Sequence, residues 1–328
     1  MVGKLDPEAL AAVLDRTVGV GEDVLVGPAY GEDAAVIDLG DELLIVSSDP
    51  ISLATERIGT LGVHVACNDV AVSGADPEFL TAVLQVPTSE ESEANGADRI
   101  EAIMADVERE ASALDVSIVG GHTEYVDQLS RPMLSMTAMG RTDRCVPTAG
   151  AEPGDRVVLT KGAGIEATAI LATDFREDLD VVPDEVVDRG TEFFEEISVV
   201  PDARVLREWA TAMHDPTEGG VFTGLIELAV ASDVALDVDA EAIPVRAETA
   251  RLCAALDVDP LQAFGSGAVL ATVPEADVEA ALDVLADAGI EAGDIGAVRA
   301  ADEPSLLLND ERFTEPEREA LYSLWDEE

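Results

Sequence analysis

Carboxylates beside turn-forming residues are the first candidates for chemistry in this sequence. Five stretches share this feature: GEDAAVID (31–38), SSDP (47–50), CNDVAVSGAD (67–76), GGHTEY (120–125) and HDPTEGG (214–220). Oxygen ligands on separate elements suit Mg²⁺, which prefers carboxylates, water and phosphate to an all-protein cage. The pattern therefore indicates a magnesium site with donors among Asp33, Asp49, Asn68, Asp69 and Glu124. The alternative is that each acid is a turn former or helix cap, which is a common use of Asp.

Two glycine loops, TKGAGIEAT (160–168) and HDPTEGGV (214–221), each run into a predicted helix. This order offers backbone N–H groups and the positive end of a helix to an anion. The first loop is not a Walker A loop, because Lys161 precedes its glycines and no Gly-Lys-Ser/Thr follows. The loops thus indicate an anion site near Gly162, Gly164, Gly219 and Gly220. The alternative is that they are ordinary helix caps and tight turns.

The three histidines are His64, His122 and His214. His64 is expected to be a packed helix residue, whereas His122 and His214 adjoin candidate site loops and could contact a phosphate or transfer a proton. No Cys/His cluster indicates a transition-metal site. No Ser–His–Asp arrangement follows from the spacing, and the G-x-S-x-G nucleophile elbow is absent.

The charge of the chain is extreme, with 69 Asp and Glu against 19 Lys and Arg, a formal net charge of −50. Such a field repels nucleic acid and anionic membranes, and it destabilises the compact state by self-repulsion. At roughly 1 M salt the Debye length falls to about 3 Å, which largely removes that repulsion. We therefore expect a cytoplasmic protein of a high-salt cytosol, with no nucleic-acid or membrane partner. A merely acidic protein and a nucleic-acid mimic are the alternatives.

The cysteines and the first residues exclude other classes. Cys67, Cys145 and Cys253 are few, odd in number and widely spaced, so neither a disulfide framework nor a Cys-rich zinc site is indicated. The stretch MVGKLDPEALAAVLDRTV predicts an amphipathic helix with Asp6 as N-cap and Pro7 at its first position. It lacks the basic and apolar regions of a signal peptide, and no apolar run approaches the length of a membrane span.

Apolar spacing predicts the elements that must position these residues. In the first half we expect two strands within 34–49, strands at 79–86, 116–121 and 132–141, and helices at 57–75 and 90–114. In the second half we expect strands at 157–160, 234–238, 267–273 and 293–300, and helices at 165–175, 202–213, 219–231, 247–256, 274–289 and 315–325. The turn-rich stretch VPTAGAEPGDR (146–156) lies between them. The sequence thus predicts two α+β domains, 1–148 and 149–328.

Seven motifs follow one another over residues 31–270: GEDAAVI, SSDP, ACNDVAVSGADP, VGGHTE, LTKGAGIEATAILA, HDPTEGGV and DPLQAFGSGAVL. Their order resembles the AIR synthase (PurM-like) superfamily, and most closely its archaeal HypE-like, AIR synthase-related members. The resemblance implies a two-domain α+β fold. An N-terminal sheet domain would dimerise through its strands, and a C-terminal α/β sandwich domain would pack on it.

The resemblance also implies ATP and Mg²⁺ bound between the domains and across a homodimer, and phosphoryl transfer to an acceptor. It places Mg²⁺ and the phosphates on Asp33, Asp49, Asn68 and Asp69, after Gly31, and the nucleotide near Gly120, Gly121, His122 and Glu124. It places the acceptor near Lys161, Gly162, Gly164, His214, Asp215, Thr217, Gly219 and Gly220. Phosphoryl transfer depends on positioning and charge neutralisation, which fits a site without an obvious nucleophile.

Three departures from the HypE pattern leave the reaction open. HypE ends in a Pro-Arg-Ile-Cys-type tail that carries its substrate, whereas this sequence ends LYSLWDEE, so we expect different tail chemistry. His122 stands where several members have an acid, and Glu218 stands where HypE has a basic residue. The favoured hypothesis is an ATP- and Mg²⁺-dependent enzyme with an unknown small-molecule or protein-borne acceptor. The alternatives are a kinase like thiamine-monophosphate kinase and a nucleotide-binding assembly protein without turnover.

Overall fold

The computed structural model describes residues 3–5, 7–14, 16, 21–88 and 93–326. The first half is built around a six-stranded sheet of order β1-β2-β3-β6-β4-β5. Its strands are β1 (Val24–Val26), β2 (Ala35–Asp38), β3 (Leu43–Ile51), β4 (Asp76–Pro87), β5 (Ser117–Val126) and β6 (Met133–Thr142). Its helices are α1 (Pro7–Leu14), α2 (Ile58–Val72) and α3 (Glu93–Ala113).

The second half is built around a seven-stranded sheet of order β13-β12-β9-β11-β7-β10-β8. Its strands are β7 (Asp155–Thr160), β8 (Ala212–His214), β9 (Ala235–Val238), β10 (Leu270–Pro274), β11 (Ala292–Arg299), β12 (Ser305–Leu308) and β13 (Glu311–Phe313). Its helices are α4 (Ile165–Thr173), α5 (Asp184–Thr191), α6 (Val200–Leu206), α7 (Gly220–Ser232), α8 (Ala247–Ala255), α9 (Val278–Asp287) and α10 (Tyr322–Asp326).

Helix α2 joins the two halves. It packs on β3, β6 and α3 of the first half and on α6 of the second, and every one of its residues is buried. A helix that is apolar on all sides is buried in a core, and most residues of α2 are apolar. The exceptions are four buried polar side chains, Thr60, His64, Asn68 and Asp69.

Strand β5 is the edge of the first sheet, where it pairs with β4 in parallel. All of its residues from Ser117 to Tyr125 are exposed, including the apolar side chains of Ile118, Val119 and Tyr125. An exposed edge strand presents unpaired backbone groups that can pair with another chain. The described residues contain no helix that is both long and apolar enough to cross a membrane.

The predicted α+β character of both halves is confirmed, and the strands within 34–49 and the helix at 57–75 form close to the expected bounds. The helix predicted at 202–213 is wrong in its second part, because α6 ends at Leu206 and β8 follows. The helix predicted at 315–325 is the single short turn of α10. Asp6, the predicted N-cap of α1, lies outside the described residues. The domain boundary after residue 148 stays a prediction.

Strand β5 also differs from its prediction. It continues through Gly120 and Gly121 to Val126, so these glycines, His122 and Glu124 lie in a strand instead of a glycine turn and a loop. Glycine usually weakens a strand, but it permits close approach of another backbone. At Gly121 the backbone of Ala82 in β4 leaves no room for a Cβ atom. Short strands such as β1 and β8 were missed because their partners, not local propensity, stabilise them.

Candidate functional site

A cavity of about 310 Å³ opens where the two halves meet, and we call it the acid cavity. Its polar lining consists of Lys4, Tyr30, Glu32, Asp33, Asp49, Asp69, His214, Thr217 and Glu227, with Gly31 in its wall. Asp33 precedes β2, Asp49 is near the end of β3, and Asp69 is on α2. The structure therefore brings together the three residues that the sequence predicted as metal ligands. Asp49 lies inside β3 and not at its end as expected.

Ser47 holds two of these carboxylates. Alternate residues of a strand share a face, so Ser47 and Asp49 both point from β3 toward α2. Ser47 Oγ lies 3.0 Å from Asp49 Oδ2 and 2.6 Å from Asp69 Oδ2. A hydroxyl has one proton, so both contacts are satisfied together when Asp69 carries a proton and donates it to Ser47 Oγ. Ser47 was missed by the sequence reasoning, although it stands two residues before Asp49 in SSDP.

The charge of Asp69 is strongly disfavoured in the metal-free protein. Burial raises the pKa of Asp69 well above its ordinary value, and the nearby carboxylates of Asp49 and Asp33 raise it further. Like charges at one site disfavour ionisation of each other, whereas a cation reverses the effect. The three carboxylates therefore disfavour one another's ionisation in this cluster.

His214 lies between two acids. Its Nδ1 is 2.9 Å from Asp33 Oδ2, and its Nε2 is 3.1 Å from Glu227 Oε2. Only the imidazolium donates from both nitrogens. Burial acts to lower the pKa of His214, but the contacts with Asp33 and Glu227 outweigh burial and raise it to about 10. The sequence predicted that His214 could contact a phosphate or transfer a proton; both of its ring nitrogens face carboxylates, and that role stays a prediction.

The carboxylate of Asp33 is held in its orientation by contacts that all involve one of its oxygen atoms, Oδ2. Besides His214, the hydroxyl of Thr148 donates to Asp33 Oδ2 at 3.3 Å, and the backbone N–H of Asp215 donates to the same atom at 3.4 Å. Among the described residues, Oδ1 has no such partner, so it stays available to the cavity. The loop can reach this position because Gly31 has φ +83° and a Cβ there would lie 2.9 Å from the Glu227 carbonyl oxygen.

Two further predicted residues are buried behind the acid cavity. Asp215 is buried, and neither of its carboxylate oxygens has a hydrogen-bond partner among the described residues. Burial, and then Asp33, raise the pKa of Asp215 well above its ordinary value. The Asn68 amide donates to the Ile197 carbonyl at 2.9 Å and accepts from the Val199 N–H at 2.8 Å. Asn68 therefore ties α2 to the residues just before α6, and its role as a phosphate ligand stays a prediction.

Lys161 lies outside the acid cavity. Its Nζ donates to the carbonyl oxygens of Glu196 at 3.0 Å and Ser198 at 2.7 Å, and it lies 3.2 Å from Asp202 Oδ2. It lines a separate cavity of about 490 Å³ with Arg246. The structure does not bring Lys161 together with the three acids.

Several N–H groups of the glycine loops donate to other groups of the protein. At the start of α4, the N–H groups of Glu166 and Ala167 donate to the carbonyl oxygens of Ser266 and Phe264. The Gly162 N–H donates to a protein carbonyl, and Gly164 has φ +71° and packs against a threonine methyl group. At the start of α7, the Gly219 N–H donates to the carboxylate of Glu319 at 2.7 Å, and the Gly220 N–H donates to the Thr217 carbonyl. The structure thus favours the helix-cap alternative for these glycines.

The residues of β5 are distant from the acid cavity within one chain. Across the sheet Asp49 pairs with Met136, Met136 with Ala82, and Ala82 with Gly121. Three steps between neighbouring strands span about 14 Å. Within one chain, the structure therefore does not bring Gly120, Gly121, His122 and Glu124 to the acids. Glu124 instead accepts from the Gln85 amide at 2.8 Å, and His122 lies 3.7 Å from Glu124.

A second cavity of about 320 Å³ shares Lys4, Asp49 and Thr217 with the acid cavity, and we call it the adjoining cavity. Its other walls are Gly3, Pro50, Ile51, Ser52, Leu53, Val65, Glu166, Glu218, Phe264, Ser266 and Tyr322. Glu166 is fully buried here, and burial raises its pKa to about 7. No group of three or more His, Cys, Asp and Glu side chains in the described part of the chain could hold a metal ion by itself.

Comparison with the sequence profiles of known families shows to which family the chain belongs. Residues 31–142 match the N-terminal domain of AIR synthase related proteins, and residues 152–309 match the C-terminal domain. The chain belongs to the AIR synthase-related family. The predicted resemblance and the predicted two-domain fold are thereby confirmed.

Relatives within the family are hydrogenase-maturation proteins and a dikinase. The chain is 28% identical to a putative hydrogenase expression/formation protein of Methanocaldococcus jannaschii over 77% of this chain and 75% of that protein. It is 34% identical to the carbamoyl dehydratase HypE of Cupriavidus necator over 76% of this chain and 70% of that protein. It is 31% identical to a selenide, water dikinase of Geobacter metallireducens over 74% and 69% of the two chains.

Solved structures of family members share the fold. HypE in a HypE–HypF complex has a TM-score of 0.76 at 22% identity and covers 94% of this chain and 99% of that chain. AaThiL, solved with AMPPCP and TMP, also has a TM-score of 0.76, at 18% identity, and covers 96% and 98% of the two chains.

Proposed function

We propose that the chain is an enzyme that uses ATP and Mg²⁺ to activate an acceptor by phosphoryl transfer. The acid cavity carries this proposal, because Asp33, Asp49 and Asp69 come from three elements and face one space. Sequence relatives named carbamoyl dehydratase and dikinase support an enzyme of this class. The hydrogenase-maturation branch is favoured because relatives named hydrogenase expression/formation protein and carbamoyl dehydratase HypE match 77% and 76% of the chain.

The donors fit Mg²⁺ by their chemistry. Mg²⁺ usually keeps several waters and binds one or two carboxylates together with phosphate oxygens. In the described residues no three His, Cys, Asp or Glu side chains are arranged to hold a metal ion by themselves, so Mg²⁺ would be held by the cavity carboxylates together with phosphate oxygens and water. The crowded charge on Asp69 would be relieved by a cation in that position. When bound, Mg²⁺ neutralises charge on the phosphates.

The protein's own contribution is positioning. Ser47 orients Asp49 and Asp69, while His214 and Thr148 orient Asp33. Groups held in this way reduce the entropy cost of reaching the reactive geometry. Asp215, which is buried without a partner, and Thr217, which lines both cavities, remain the proposed acceptor-side residues. We propose that Lys161 and the glycine loops support the acceptor side indirectly, by holding the starts of α4 and α7 in position.

The adjoining cavity is the proposed acceptor site. Its volume of about 320 Å³ suits a small molecule or a small group carried by a protein. Ile51, Leu53 and Phe264 offer an apolar wall, and Glu166 and Glu218 offer acceptors for hydrogen bonds. We therefore infer an acceptor with an apolar face and a hydrogen-bond donor, whose reacting oxygen is of the amide type.

The exposed strand β5 supports a homodimer. Its unpaired edge and its side chains Ile118, Val119 and Tyr125 are suited to pair with a second copy. Such pairing would bring β5 of one copy toward the other copy's acid cavity. We propose that in such a dimer the nucleotide site of one copy is lined by residues of the other copy, namely Gly120, Gly121, His122 and Glu124.

The net charge of −50 supports a cytosol of high salt as the setting. The same field disfavours nucleic acid and anionic membranes as partners. Bound Mg²⁺ is therefore the means by which so acidic a protein accepts ATP, which is itself a polyanion.

A thermal-shift titration in molar KCl with MgCl₂ tests the function. Ligand at about 100 times its Kd stabilises a protein by roughly 2.7 kcal/mol, so ATP should raise the Tm by several degrees. The shift should require Mg²⁺, be lost in Asp69→Asn, and persist in the matched control Asp180→Asn, an exposed acid. Folded protein that shows no shift with ATP, ADP or AMP would contradict the proposal and favour an assembly protein.

A small-molecule kinase is the second candidate, favoured by the size of the adjoining cavity. Incubation with ATP, Mg²⁺ and thiamine monophosphate discriminates it. Formation of the diphosphate would assign the kinase, whereas ATP binding without that product would leave the hydrogenase-maturation branch.

A further inference from the structure

Lysine is almost absent from this chain, which has two lysines against 17 arginines. Both lysines line cavities, Lys4 in the acid and adjoining cavities and Lys161 in the separate one. Lysine is a compact point charge with three donors, whereas arginine is a planar fork suited to carboxylates. The chain thus uses arginine for its ion pairs elsewhere and keeps an ammonium group at two enclosed positions.

The two ammonium groups differ in the number of partners that each has within the protein. Lys161 Nζ donates hydrogen bonds to the carbonyl oxygens of Glu196 and Ser198 and forms an ion pair with Asp202 at 3.2 Å. Lys4 Nζ donates to Thr217 Oγ1 at 3.1 Å. That is its one hydrogen bond within the described residues, so two N–H groups remain to bind another acceptor. Lys161 is therefore a structural cation, and Lys4 is not.

Lys4 is held at the border of the two cavities. Its backbone N–H donates to Glu218 Oε2 at 3.0 Å, and Gly3 beside it packs against the ring of Tyr322. Together with Asp49 and Thr217, Lys4 is one of the residues that line both cavities. Its side chain therefore borders both spaces.

We propose that Lys4 is a catalytic residue that contacts the terminal phosphoryl group of ATP on its way to the acceptor. The proposal rests on the proposed function. In the step, the bond from phosphorus to the ADP oxygen breaks with its electron pair left on ADP, and the acceptor oxygen bonds to phosphorus. The acceptor's proton goes to water, and Lys4 keeps its own three hydrogens. Negative charge on the phosphoryl oxygens needs neutralisation by several cationic groups, and Lys4 lines the same cavity as the three acids.

Amine labelling tests this contact directly, because the chain has two ε-amines. The full protein in molar KCl would be reductively methylated, and the rate at each lysine would be measured by mass spectrometry. A charge-assisted hydrogen bond stabilises by about 1.5–3 kcal/mol, so Mg²⁺ with β,γ-methylene-ATP should slow Lys4 labelling by about tenfold or more. Mg²⁺ alone or with ADP should not, and Lys161 serves as the internal reference.

Three labelling results would overturn the proposal. Faster labelling with the triphosphate analogue would show that Lys4 is a plug that leaves when nucleotide binds. Equal slowing with ADP would show that the terminal phosphate is not the partner. Equal slowing of Lys4 and Lys161 would show general stabilisation without contact.

Turnover gives an independent readout, with ATP as substrate and water as acceptor. Loss of one group that stabilises transition-state charge costs about 10²–10³ in kcat, so Lys4→Met should lower ADP formation by that factor while it retains the Mg²⁺-dependent thermal shift. Lys4→Arg should recover part of the rate. Arg299→Met removes the same charge at an exposed position and should leave the rate unchanged.

The two proposals fail in different ways. Wild-type protein without any Mg²⁺-dependent shift by ATP would contradict the proposed function. A normal shift together with a wild-type rate in Lys4→Met would overturn the role of Lys4 alone.

Discussion

Asp33 and His214 are 181 residues apart in the chain, yet His214 Nδ1 lies 2.9 Å from Asp33 Oδ2. Asp33 precedes a strand of the first sheet, and His214 ends a strand of the second. This buried pair therefore links the two halves at the wall of the acid cavity. The placement of Asp33 depends on the docking of both domains.

Replacement of His214 should destabilise the fold. In His214→Phe, the carboxylates of Asp33 and Glu227 lose their shared cation in a buried setting. Loss of one partner of a buried ion pair costs about 3–5 kcal/mol, and chemical denaturation in molar KCl would measure it. The control is His122→Gln on the exposed strand β5, which should change the free energy of unfolding by less than about 0.5 kcal/mol. Equal losses in the two variants would contradict the linking role of His214.

Asp69→Asn should have opposite effects without and with metal. In EDTA at pH 7.5, the variant should be more stable than wild type by about 1 kcal/mol or more, because it removes a buried acid whose charge is disfavoured. The side-chain amide of Asn can still donate a hydrogen bond to Ser47 Oγ, as protonated Asp69 does. With Mg²⁺ and ATP, the order should reverse because the ligand is lost. The comparison uses Asp180→Asn, and a destabilised Asp69→Asn in EDTA would show that the acids are not in electrostatic conflict.

Glu319 should make stability fall with rising pH. Burial raises its pKa to about 8 although the N–H groups of Leu321, Gly219 and Phe264 donate to it. Because the pKa is higher in the folded than in the unfolded protein, the Glu319 carboxyl contributes to the free energy of unfolding. This contribution is complete below pH 4.5 and is lost as the pH rises through about 8. Its slope is at most about 1.4 kcal/mol per pH unit.

Denaturation of Glu319→Gln at several pH values between 4.5 and 8 would reveal this contribution. The difference in unfolding free energy between variant and wild type should grow across that range. The same change at exposed Glu279 should give a flat difference. A flat difference for Glu319→Gln as well would mean that this carboxyl titrates normally.

A charge on β5 should separate the copies of a homodimer. Val119 is 55% exposed on this edge strand, and Val181 is 81% exposed away from it. Light scattering of wild-type protein in molar KCl should give the mass of a dimer, and Val119→Glu should give the mass of a monomer. Val181→Glu should remain dimeric. A wild-type monomer, or a dimer unaffected by Val119→Glu, would exclude pairing through β5.

Salt should stabilise this protein strongly. Between 0.1 M and 1 M salt the Debye length falls from about 10 Å to about 3 Å, which screens repulsion among exposed acids. We therefore expect the Tm to rise steadily as KCl is increased over this range. An unchanged Tm would mean that the acidic surface is neutral for stability, and the expectation of a high-salt setting would be wrong.

The sequence was informative where local spacing decides the outcome. Apolar periodicity predicted α2 and the strands around Asp33 and Asp49, because burial of one face or of a whole helix follows from neighbours in the chain. Motif order predicted the family and the grouping of Asp33, Asp49 and Asp69. Periodicity failed at β8, whose three residues are stabilised by pairing with β10 instead of by their own propensity.

The tertiary structure decided which of these polar groups are free. Sequence alone offered Asn68, Lys161 and His214 as site residues, but packing uses their hydrogen-bonding atoms within the protein. Within the described residues, it left the ammonium group of Lys4, which no motif marked, with one hydrogen-bond partner, Thr217, 213 residues away. Secondary structure follows short-range periodicity, whereas hydrogen-bond partners depend on which distant elements dock. For that reason the sequence determined the fold and the acids, and only the docked domains determined which donors and acceptors face the cavities.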